Sequence, residues 1–344
     1  MTLKSIITNI TKFCLQVKNI SYYFMEMIAS FSDKSTRIAF TNFKDVPHDF
    51  FLLPINKIFL NNSKKYRLVT CYNPHIQLFS VFGKKSKVTN SNADCKIFFS
   101  GENTNFFRKG EYKGNCIDYV SQSFGFDFST ADNYLRFPLW LLYYFTPDNN
   151  KEEICEILNK FNQKYKKTKF CSLVASHDKN GIRTKIYNAV SRIGRVDCPG
   201  KLLHNDDTLH NQFSNDKSLY LQQYKFNICP ENSNSPGYVT EKIFQSLYSG
   251  CIPIYNGWNK DPEPGILNPK IILWFNEPDL ENKNLMDEVE KLNSNDNFYS
   301  EFISQPVFCD TAAEKIFYML SEFKNKIYSS IDKYIIRTSL KTSV

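Results

Sequence analysis

The stretch FNICPENSNSPGYVTEKIF, residues 226–244, is the most informative part of this 344-residue chain. It begins as a short apolar strand, continues as a polar loop and ends in a helix that starts with Glu241 and Lys242. The apolar run at 251–255 predicts the next strand. Because a loop that leads into a helix N-terminus is a common phosphate-binding arrangement, the stretch predicts a site for a phosphorylated ligand.

The same alternation of strand and helix patterns extends over most of the chain. Residues 36–150 are predicted to form a first α/β domain, with strands at 38–40, 66–71, 76–82, 95–99 and 116–120. Residues 151–320 are predicted to form a second, with strands at 168–175, 226–229 and 251–255 and helices at 153–165, 182–190, 217–224 and 239–248. Such alternation predicts parallel sheets that bind ligands at the carboxyl ends of their strands. An N-terminal helical extension (1–35) and a C-terminal helical tail (321–344) complete the predicted organisation.

Residue spacing assigns the faces of the helix that ends the central stretch. Val239, Ile243 and Leu247 recur every four residues, so they share one face and should pack on the sheet. Tyr238, Glu241 and Lys242 are then expected on the side that is open to a ligand. Gly250 suits the position after the helix end, where a positive φ is often required.

Composition narrows the class of protein. The formal charge is +8, yet no block of Lys and Arg reaches five residues, which argues against a dedicated nucleic-acid surface. Ten cysteines without a Cys-x-x-Cys pair predict free thiols and a reducing, cytoplasmic compartment. No apolar run suggests a signal peptide or a transmembrane segment. Lys4, Lys12 and Lys18 lie in an amphipathic stretch for which we weigh peripheral membrane contact against an ordinary solvated helix face.

Charged residues near two predicted helix starts suggest how a diphosphate would be held. The chain contains no Asp-x-Asp motif of the kind that holds a metal ion in many sugar transferases. Fixed cations near helix N-termini are the alternative, and Arg183 and Lys242 both have this position. Glu241 could accept hydrogen bonds from ribose hydroxyls. Glu102 follows the strand at 95–99 and is a candidate general base.

Several ordered motifs resemble those of the α1,3/α1,4-fucosyltransferase family, glycosyltransferase family 10. They are Gly101-Glu102-Asn103, the segment Tyr134 to Leu139, the strand Phe170 to Ser176 with the following Arg183, Glu231-Asn232-Ser233, and Tyr238 to Lys242. The resemblance implies a GT-B-type fold, in which two Rossmann-like domains with parallel sheets face a cleft. The domain at 36–150 is then expected to bind the acceptor, and the domain at 151–320 is expected to bind GDP-fucose. The resemblance also implies an inverting transfer of L-fucose from GDP-fucose to a glycan hydroxyl, with α1,3 linkage expected ahead of α1,4.

The resemblance also assigns roles to individual residues. Glu102 falls on the general base of the family. The expected donor-binding residues are Arg183, Glu231, Asn232, Ser233, Tyr238, Glu241 and Lys242, with Arg183 and Lys242 on phosphate and Glu241 on ribose. No cofactor or metal is required, although a divalent metal is allowed as a stimulant. N-acetyllactosamine and lactose are the expected type of acceptor.

The chain departs from the family pattern at several places. Pro230 stands where the family usually has Phe, and an Asn-containing insert at 103–116 could alter acceptor binding. The heptad repeats of some bacterial relatives and the membrane anchor of animal relatives have no counterpart. Two alternatives stay open: a GT-B transferase for another nucleotide sugar, and a non-catalytic protein that binds a glycan or a nucleotide.

Overall fold

The computed structural model describes residues 21–30, 33–44, 46–70, 72–279 and 282–341. These residues form two compact units. The first comprises the described residues of Met1–Gly125, Thr130–Leu135 and Glu322–Val344, and the second those of Phe126–Ser129 and Arg136–Ser321.

The first unit is built on a six-stranded sheet in the order β2-β1-β3-β4-β5-β6. Its strands are β1 (Thr36–Thr41), β2 (Tyr66–Leu68), β3 (Ile76–Phe79), β4 (Cys95–Phe99), β5 (Gln122–Gly125) and β6 (Tyr134–Arg136). The strand pairs β1–β2, β1–β3, β3–β4 and β4–β5 are parallel. Its helices are α1 (21–30), α2 (His48–Asn61), α3 (Ser86–Thr89) and the 3-10 turns Phe107–Gly110 and Ile117–Tyr119.

The second unit is built on a five-stranded parallel sheet in the order β11-β10-β9-β7-β8. Its strands are β7 (Lys169–Ser172), β8 (Val196–Asp197), β9 (Tyr224–Ile228), β10 (Ile252–Tyr255) and β11 (Leu273–Trp274). Its helices are α4 (Leu141–Tyr144), α5 (Lys151–Asn159), α6 (Ile182–Val190), α7 (Thr208–Asn211), α8 (Lys217–Leu221), α9 (Glu241–Tyr248), α10 (Lys283–Ser294), α11 (Asp296–Ser304) and the start of α12 (Ala312–Lys341), with 3-10 turns at Lys160–Asn162 and Pro269–Ile271.

The strand order of the second sheet creates a topological switch point. The chain leaves β7 toward β8 on one side and returns to β9 on the other side of β7. The connection after β7 runs to β8 on one side, and the connection after β9 runs to β10 on the other side. The two connections therefore leave a crevice above the carboxyl ends of β7 and β9, where parallel α/β sheets bind their ligands. All four residues of β10 are buried, as expected for a strand that is covered on both faces.

Aromatic packing decides which segments complete each unit. Phe323 of α12 lies with its ring centroid 4.7 Å from Phe124 and 5.6 Å from Phe51, so the end of α12 belongs to the core of the first unit. Trp140 stacks on Phe244 of α9 at 4.1 Å, which ties residues 136–150 to the second unit. The sequence pattern instead predicts residues 136–150 as the end of the first domain.

Most predicted strands and helices form, with ends that differ by a few residues. The predicted strand at 116–120 is wrong, because Ile117–Tyr119 is a 3-10 turn and the strand forms at Gln122–Gly125 instead. Positive φ angles of 51° at Asn115 and 54° at Cys116 turn the chain before an extended segment can begin. The predicted helix at 217–224 ends at Leu221, because Tyr224 already begins β9.

The predicted N-terminal extension is described in part. Residues 21–30 are helical, whereas residues 1–20, with Lys4, Lys12 and Lys18, lie outside the described residues. No helix in the described ranges has the length and apolar character needed to cross a bilayer. Every cysteine within those ranges is a free thiol.

Candidate functional site

A cavity of about 830 Å³ opens at the switch point of the second sheet. Residues that follow β7 (173–177), β8 (199–201) and β9 (229–230) form its walls, together with residues from the first turns of α6, α8 and α9. The cavity therefore lies where the strand order predicts a ligand site. Its volume falls within the usual range of small-molecule sites.

The lining of this cavity is strongly basic. Arg183, Lys217 and Lys242 project from the starts of three helices, and Lys201 comes from the segment after β8. Glu241 contributes a carboxylate at the same place. Clustered cations in a concave site attract and hold anions, so the cavity suits a ligand with more than one negative charge.

The start of α9 is anchored by the carboxylate of Glu231, whose side chain has no exposed surface. The Thr240 backbone N–H donates to Glu231 Oε1 at 2.8 Å, and the Thr240 hydroxyl donates to Oε2 at 2.7 Å. The Tyr255 hydroxyl donates to Oε1 at 3.3 Å, and Lys242 Nζ lies 3.0 Å from Oε2. A buried carboxylate with this many donors is a structural anchor. Glu231 thus closes the loop and fixes the position of Lys242.

Lys242 is held as a charged group. Burial acts to lower its pKa, but the carboxylates of Glu231 and Glu241 outweigh burial and raise the pKa above its ordinary value. Its ammonium also donates to the Thr240 hydroxyl at 2.7 Å. Lys242 therefore presents a positioned cation to the cavity at every physiological pH.

Arg183, the second residue of α6, is buried and lies against the loop of the central stretch. Its guanidinium donates to Asn232 Oδ1 at 2.6 Å and to the His177 carbonyl. Burial lowers the pKa of Arg183, partly offset by Asp178 and Glu231, yet a guanidinium stays protonated under ordinary conditions. The structure thus brings Arg183 and Lys242 to one cavity, as predicted.

The two helix starts differ in what they offer an anion. At α6, Asp178 accepts from the backbone N–H groups of Arg183 at 3.2 Å and Thr184 at 2.8 Å, so these amides are already used. At α9, the N-cap residue Thr240 turns its hydroxyl to Glu231, so its side chain makes no capping hydrogen bond to the helix. The N-terminus of α9 is therefore the one of the two that fits a phosphate group.

Lys217 is a functional candidate that the sequence pattern did not indicate. It is the first residue of α8, lines the cavity and donates to Gln245 Oε1 of α9 at 2.9 Å. Burial lowers its pKa, and the nearby cations Lys242 and Arg183 act in the same direction, against the opposing effect of Glu241. An anionic ligand would relieve this repulsion.

His204 is a second missed candidate. Its Nδ1 lies 3.0 Å from the Gly200 carbonyl and its Nε2 lies 3.0 Å from Asp207 Oδ1. Both neighbours are acceptors, so both ring nitrogens carry a proton when the two bonds form. These hydrogen bonds, the one to Gly200 first, raise the pKa of His204 above its ordinary value. His204 lines the cavity and adds a titratable cation.

The predicted core face of α9 is confirmed, since Val239, Ile243 and Leu247 are buried, and Gly250 after the helix end has a φ of +66°.

The predicted donor residue Tyr238 has a different position from the one expected. Tyr238 does not project from the first turn of the helix, because α9 begins at Glu241. It is 1% exposed and packs edge-on against Phe126 at 5.0 Å.

Asn232 and Ser233 lie in the loop between β9 and α9. Asn232 is exposed and reaches the cavity through its bond to Arg183, and Ser233 is half-buried. Neither residue lines the cavity itself. Their contact with a donor stays a prediction.

Glu102 belongs to the first unit, where it follows β4 as predicted. The Glu102 backbone N–H donates to Ser100 Oγ at 3.1 Å, and the Ser100 hydroxyl donates to the Glu102 carbonyl at 2.8 Å. This pair forms a tight turn that leaves the Glu102 side chain half-buried at the carboxyl end of the strand. Its role as a base stays a prediction.

Among the residues that the structure describes, no group of three or more His, Cys, Asp or Glu side chains is placed to hold a metal ion.

Two family models match consecutive parts of the chain. The N-terminal domain model of the α-(1,3)-fucosyltransferase FucT matches residues 38–143. The C-terminal model of glycosyltransferase family 10 (fucosyltransferase) matches residues 143–306 and thus contains the whole cavity. Together the two models extend over more than three-quarters of the chain.

Curated relatives agree with these family models. The chain is 29% identical over 297 residues to α-(1,3)-fucosyltransferase FucT of Helicobacter pylori, which covers 76% of this chain and 58% of that protein. It is 35% identical over 118 residues to α-(1,3)-fucosyltransferase B of Drosophila melanogaster, which covers 31% of this chain and 26% of that protein. The alignments thus include less than two-thirds of each relative.

Solved structures give the same fold. A crystal structure of an α1,3-fucosyltransferase superposes with a TM-score of 0.54 at 22% identity and covers 86% of this chain and 92% of that chain. A structure of an α1,3-fucosyltransferase with GDP gives a TM-score of 0.53. The predicted GT-B-type α/β fold class is confirmed. The motifs, the two family models and the fold agree, and the chain belongs to glycosyltransferase family 10, the fucosyltransferases.

Proposed function

We propose that this protein transfers L-fucose from GDP-fucose to a hydroxyl group of a glycan acceptor, with inversion at the anomeric carbon. The observation that carries the proposal is the convergence of Arg183, Lys217 and Lys242 on one cavity at the switch point of the second sheet. A nucleoside diphosphate has the charge, the size and the phosphate groups that this cavity and the start of α9 suit.

The choice of fucose rests on the family. The similar proteins of Helicobacter pylori and Drosophila are named α-(1,3)-fucosyltransferases. The similar solved structures include an α1,3-fucosyltransferase with GDP-fucose. We therefore place GDP-fucose in the cavity and expect an α1,3 linkage in the product, with α1,4 as the alternative.

The cavity residues would act mainly on the leaving group. As the glycosidic bond to the diphosphate breaks, negative charge grows on its oxygens, and a positioned cation stabilises that charge more than it stabilises the ground state. Lys242 is fixed for this role by Glu231, and Arg183 is fixed by Asn232 and His177. Glu241 would accept hydrogen bonds from the ribose. This arrangement makes a metal ion dispensable.

The acceptor half of the reaction is assigned to Glu102. In an inverting transfer one carboxylate removes the proton of the acceptor hydroxyl while that oxygen attacks the anomeric carbon. Glu102 has the residue type and the position at a strand's carboxyl end that the family uses. N-acetyllactosamine and lactose are the proposed type of acceptor.

Calorimetric titration tests the donor. The proposal expects GDP and GDP-fucose to bind in the micromolar range, and UDP-galactose to bind at least about tenfold more weakly, a difference of about 1.4 kcal/mol. Preferential binding of another nucleotide sugar would keep the fold but change the donor. GDP-fucose binding without GDP release on a broad acceptor panel would point to a non-catalytic protein.

Substitution tests the base. Glu102→Gln should lower kcat at least about 100-fold, since a general base contributes about that factor or more. GDP-fucose affinity should not change. Asp118→Asn, an exposed carboxylate of the same unit, is the matched control and should retain full turnover. A folded Glu102→Gln protein with normal turnover would remove Glu102 from the mechanism.

A further inference from the structure

The second unit contains another cavity, which is bordered by exposed aromatic rings. This aromatic bay has a volume of about 530 Å³ and is lined by Phe128, Arg136, Trp258, Glu263, Lys315 and Tyr318, among others. Phe128 is 63% exposed and Tyr318 is 64% exposed. Large aromatic side chains with this exposure, gathered at one concave place, mark a binding surface.

The rings of the bay are held in place by their own contacts. Phe128 meets Trp258 edge-on at 5.9 Å, and the Arg136 guanidinium lies 5.2 Å from the centre of the Phe128 ring. The Trp258 indole N–H donates to the Pro262 carbonyl at 3.1 Å. The bay is thus preorganised, which lowers the entropic cost of binding.

A buried ion pair forms the base of the bay. Arg136 donates to both carboxylate oxygens of Glu263, at 2.7 and 3.2 Å, and the Trp140 indole N–H donates to the same carboxylate at 3.0 Å. Glu263 is 2% exposed. Lys315 lies in the wall, where its ammonium donates to the Pro264 carbonyl at 2.8 Å.

The same arginine joins the bay to the donor loop. Arg136 donates to the Gly237 carbonyl at 2.8 Å, and Gly237 lies at the tip of the 231–240 loop. Pro230 and Glu241, at the two ends of that loop, line the large cavity. A Cβ atom at Gly237 would meet the Phe126 carbonyl at 2.4 Å, so the loop approaches this wall as closely as glycine allows. The loop therefore connects residues that line the large cavity and contacts Arg136, which lines the bay.

We propose that the aromatic bay binds a pyranose ring of the glycan acceptor. The C–H face of a galactose-type ring is apolar and stacks on aromatic rings, while its hydroxyl groups need polar partners at the edge of the site. The bay offers both, with exposed Phe128 and Tyr318 beside the ammonium of Lys315. Its position along the donor loop matches the need to hold an acceptor near the donor. This inference rests on the proposed function.

Charge distinguishes a sugar from a lipid chain as the occupant. An acyl chain in the bay would cover Lys315 and the exposed carboxylate of Glu314 without offering them hydrogen bonds, which costs free energy. A sugar hydroxyl replaces the water on these groups. The volume is also in the range that a mono- or disaccharide fills.

Steady-state kinetics test the bay. Phe128→Ala and Tyr318→Ala should each raise the acceptor KM about 3- to 10-fold, the loss expected for one stacked ring. The KM for GDP-fucose and the rate of GDP-fucose hydrolysis without acceptor should not change. Phe128→Tyr and Tyr318→Phe should restore the acceptor KM. Tyr143→Ala, which removes a ring of similar exposure outside the bay, is the control.

The outcomes separate the bay from the proposed function. An active wild type whose acceptor KM is unchanged in both alanine variants overturns the bay and leaves the transferase proposal intact. If no acceptor is fucosylated, saturation-transfer NMR with lactose and N-acetyllactosamine decides. A signal that is lost in Phe128→Ala supports the bay. Absence of a signal, or a preference for detergent or vesicles over the sugars, overturns it.

Discussion

Lys242 Nζ lies 3.0 Å from Oε2 of Glu231, a carboxylate without exposed surface. The pair joins the end of β9 to the first turn of α9, so one buried interaction sets both the loop and the cation that faces the cavity. Separating the partners should affect stability and donor binding together.

The first test of this coupling is the stability of the Glu231→Gln variant. Removing one partner of a buried pair leaves the other charge unpaired, so the free energy of unfolding should fall by about 3 kcal/mol in a urea titration. Glu290→Gln, on the exposed face of α10, should change it by less than about 0.5 kcal/mol. An unchanged urea midpoint for Glu231→Gln would show that the pair does not anchor the loop.

The pH dependence of that difference follows from Lys242. Its pKa is raised in the folded state, so its contribution is fully present below the unfolded value and is lost only as pH rises through the raised value. In Glu231→Gln, burial of Lys242 is no longer offset by Glu231, so the stability gap to wild type should narrow as pH rises and the unpaired Lys242 loses its proton. A gap that widens with rising pH would contradict the charge pair.

Arg183 should contribute to donor affinity through its charge. Arg183→Met removes a charged hydrogen-bond donor from the cavity, which should weaken GDP binding at least about tenfold in calorimetry. Arg192→Met alters an exposed arginine just beyond the end of the same helix and should leave GDP affinity unchanged. Equal affinities of the two variants would place the diphosphate elsewhere.

Lys217 should take up a proton when the donor binds. Its pKa is lowered in the free protein, first by burial, and a diphosphate raises it again. GDP affinity should therefore fall as pH rises through the lowered pKa of Lys217, with proton uptake visible in calorimetry in buffers of different ionisation enthalpy. Lys217→Met should bind GDP more weakly and take up fewer protons than the wild type. An uptake equal to that of the wild type would assign it to other groups, such as His204.

His204 should give a separate pH dependence nearer neutrality. Its raised pKa means that the cation is present below that value and is lost as pH rises through it. The KM for GDP-fucose should therefore increase a few-fold as pH rises from below the ordinary histidine range through the raised pKa of His204. His204→Gln should flatten the profile over that interval. An identical profile in the variant would exclude His204 from donor binding.

Local pattern predicted much of the second unit. The strand–loop–helix at 226–244, the buried face of α9 and the turn at Gly250 depend on residues close together in sequence, where periodicity and turn chemistry act. The convergence of Arg183 and Lys242 was predictable because both follow strands of one parallel sheet.

Other features depend on contacts between distant segments. Lys217 begins a helix of only five residues, and its place in the cavity depends on the packing of α8 against α9. His204 lies in an irregular segment whose path follows from its hydrogen bonds to Gly200 and Asp207. Helix α2 was not predicted, and it contains Pro54, which in sequence reads as a break.

The stereochemistry of the product is the sharpest test of the proposed fucose transfer. The protein is incubated with GDP-β-L-fucose and N-acetyllactosamine, and the isolated product is examined by NMR for its anomeric configuration and linkage. We expect GDP release together with an α-linked fucose on the N-acetylglucosamine residue, and loss of both in Lys242→Met. A β-linked product, or turnover that Lys242→Met leaves unchanged, would contradict the proposal.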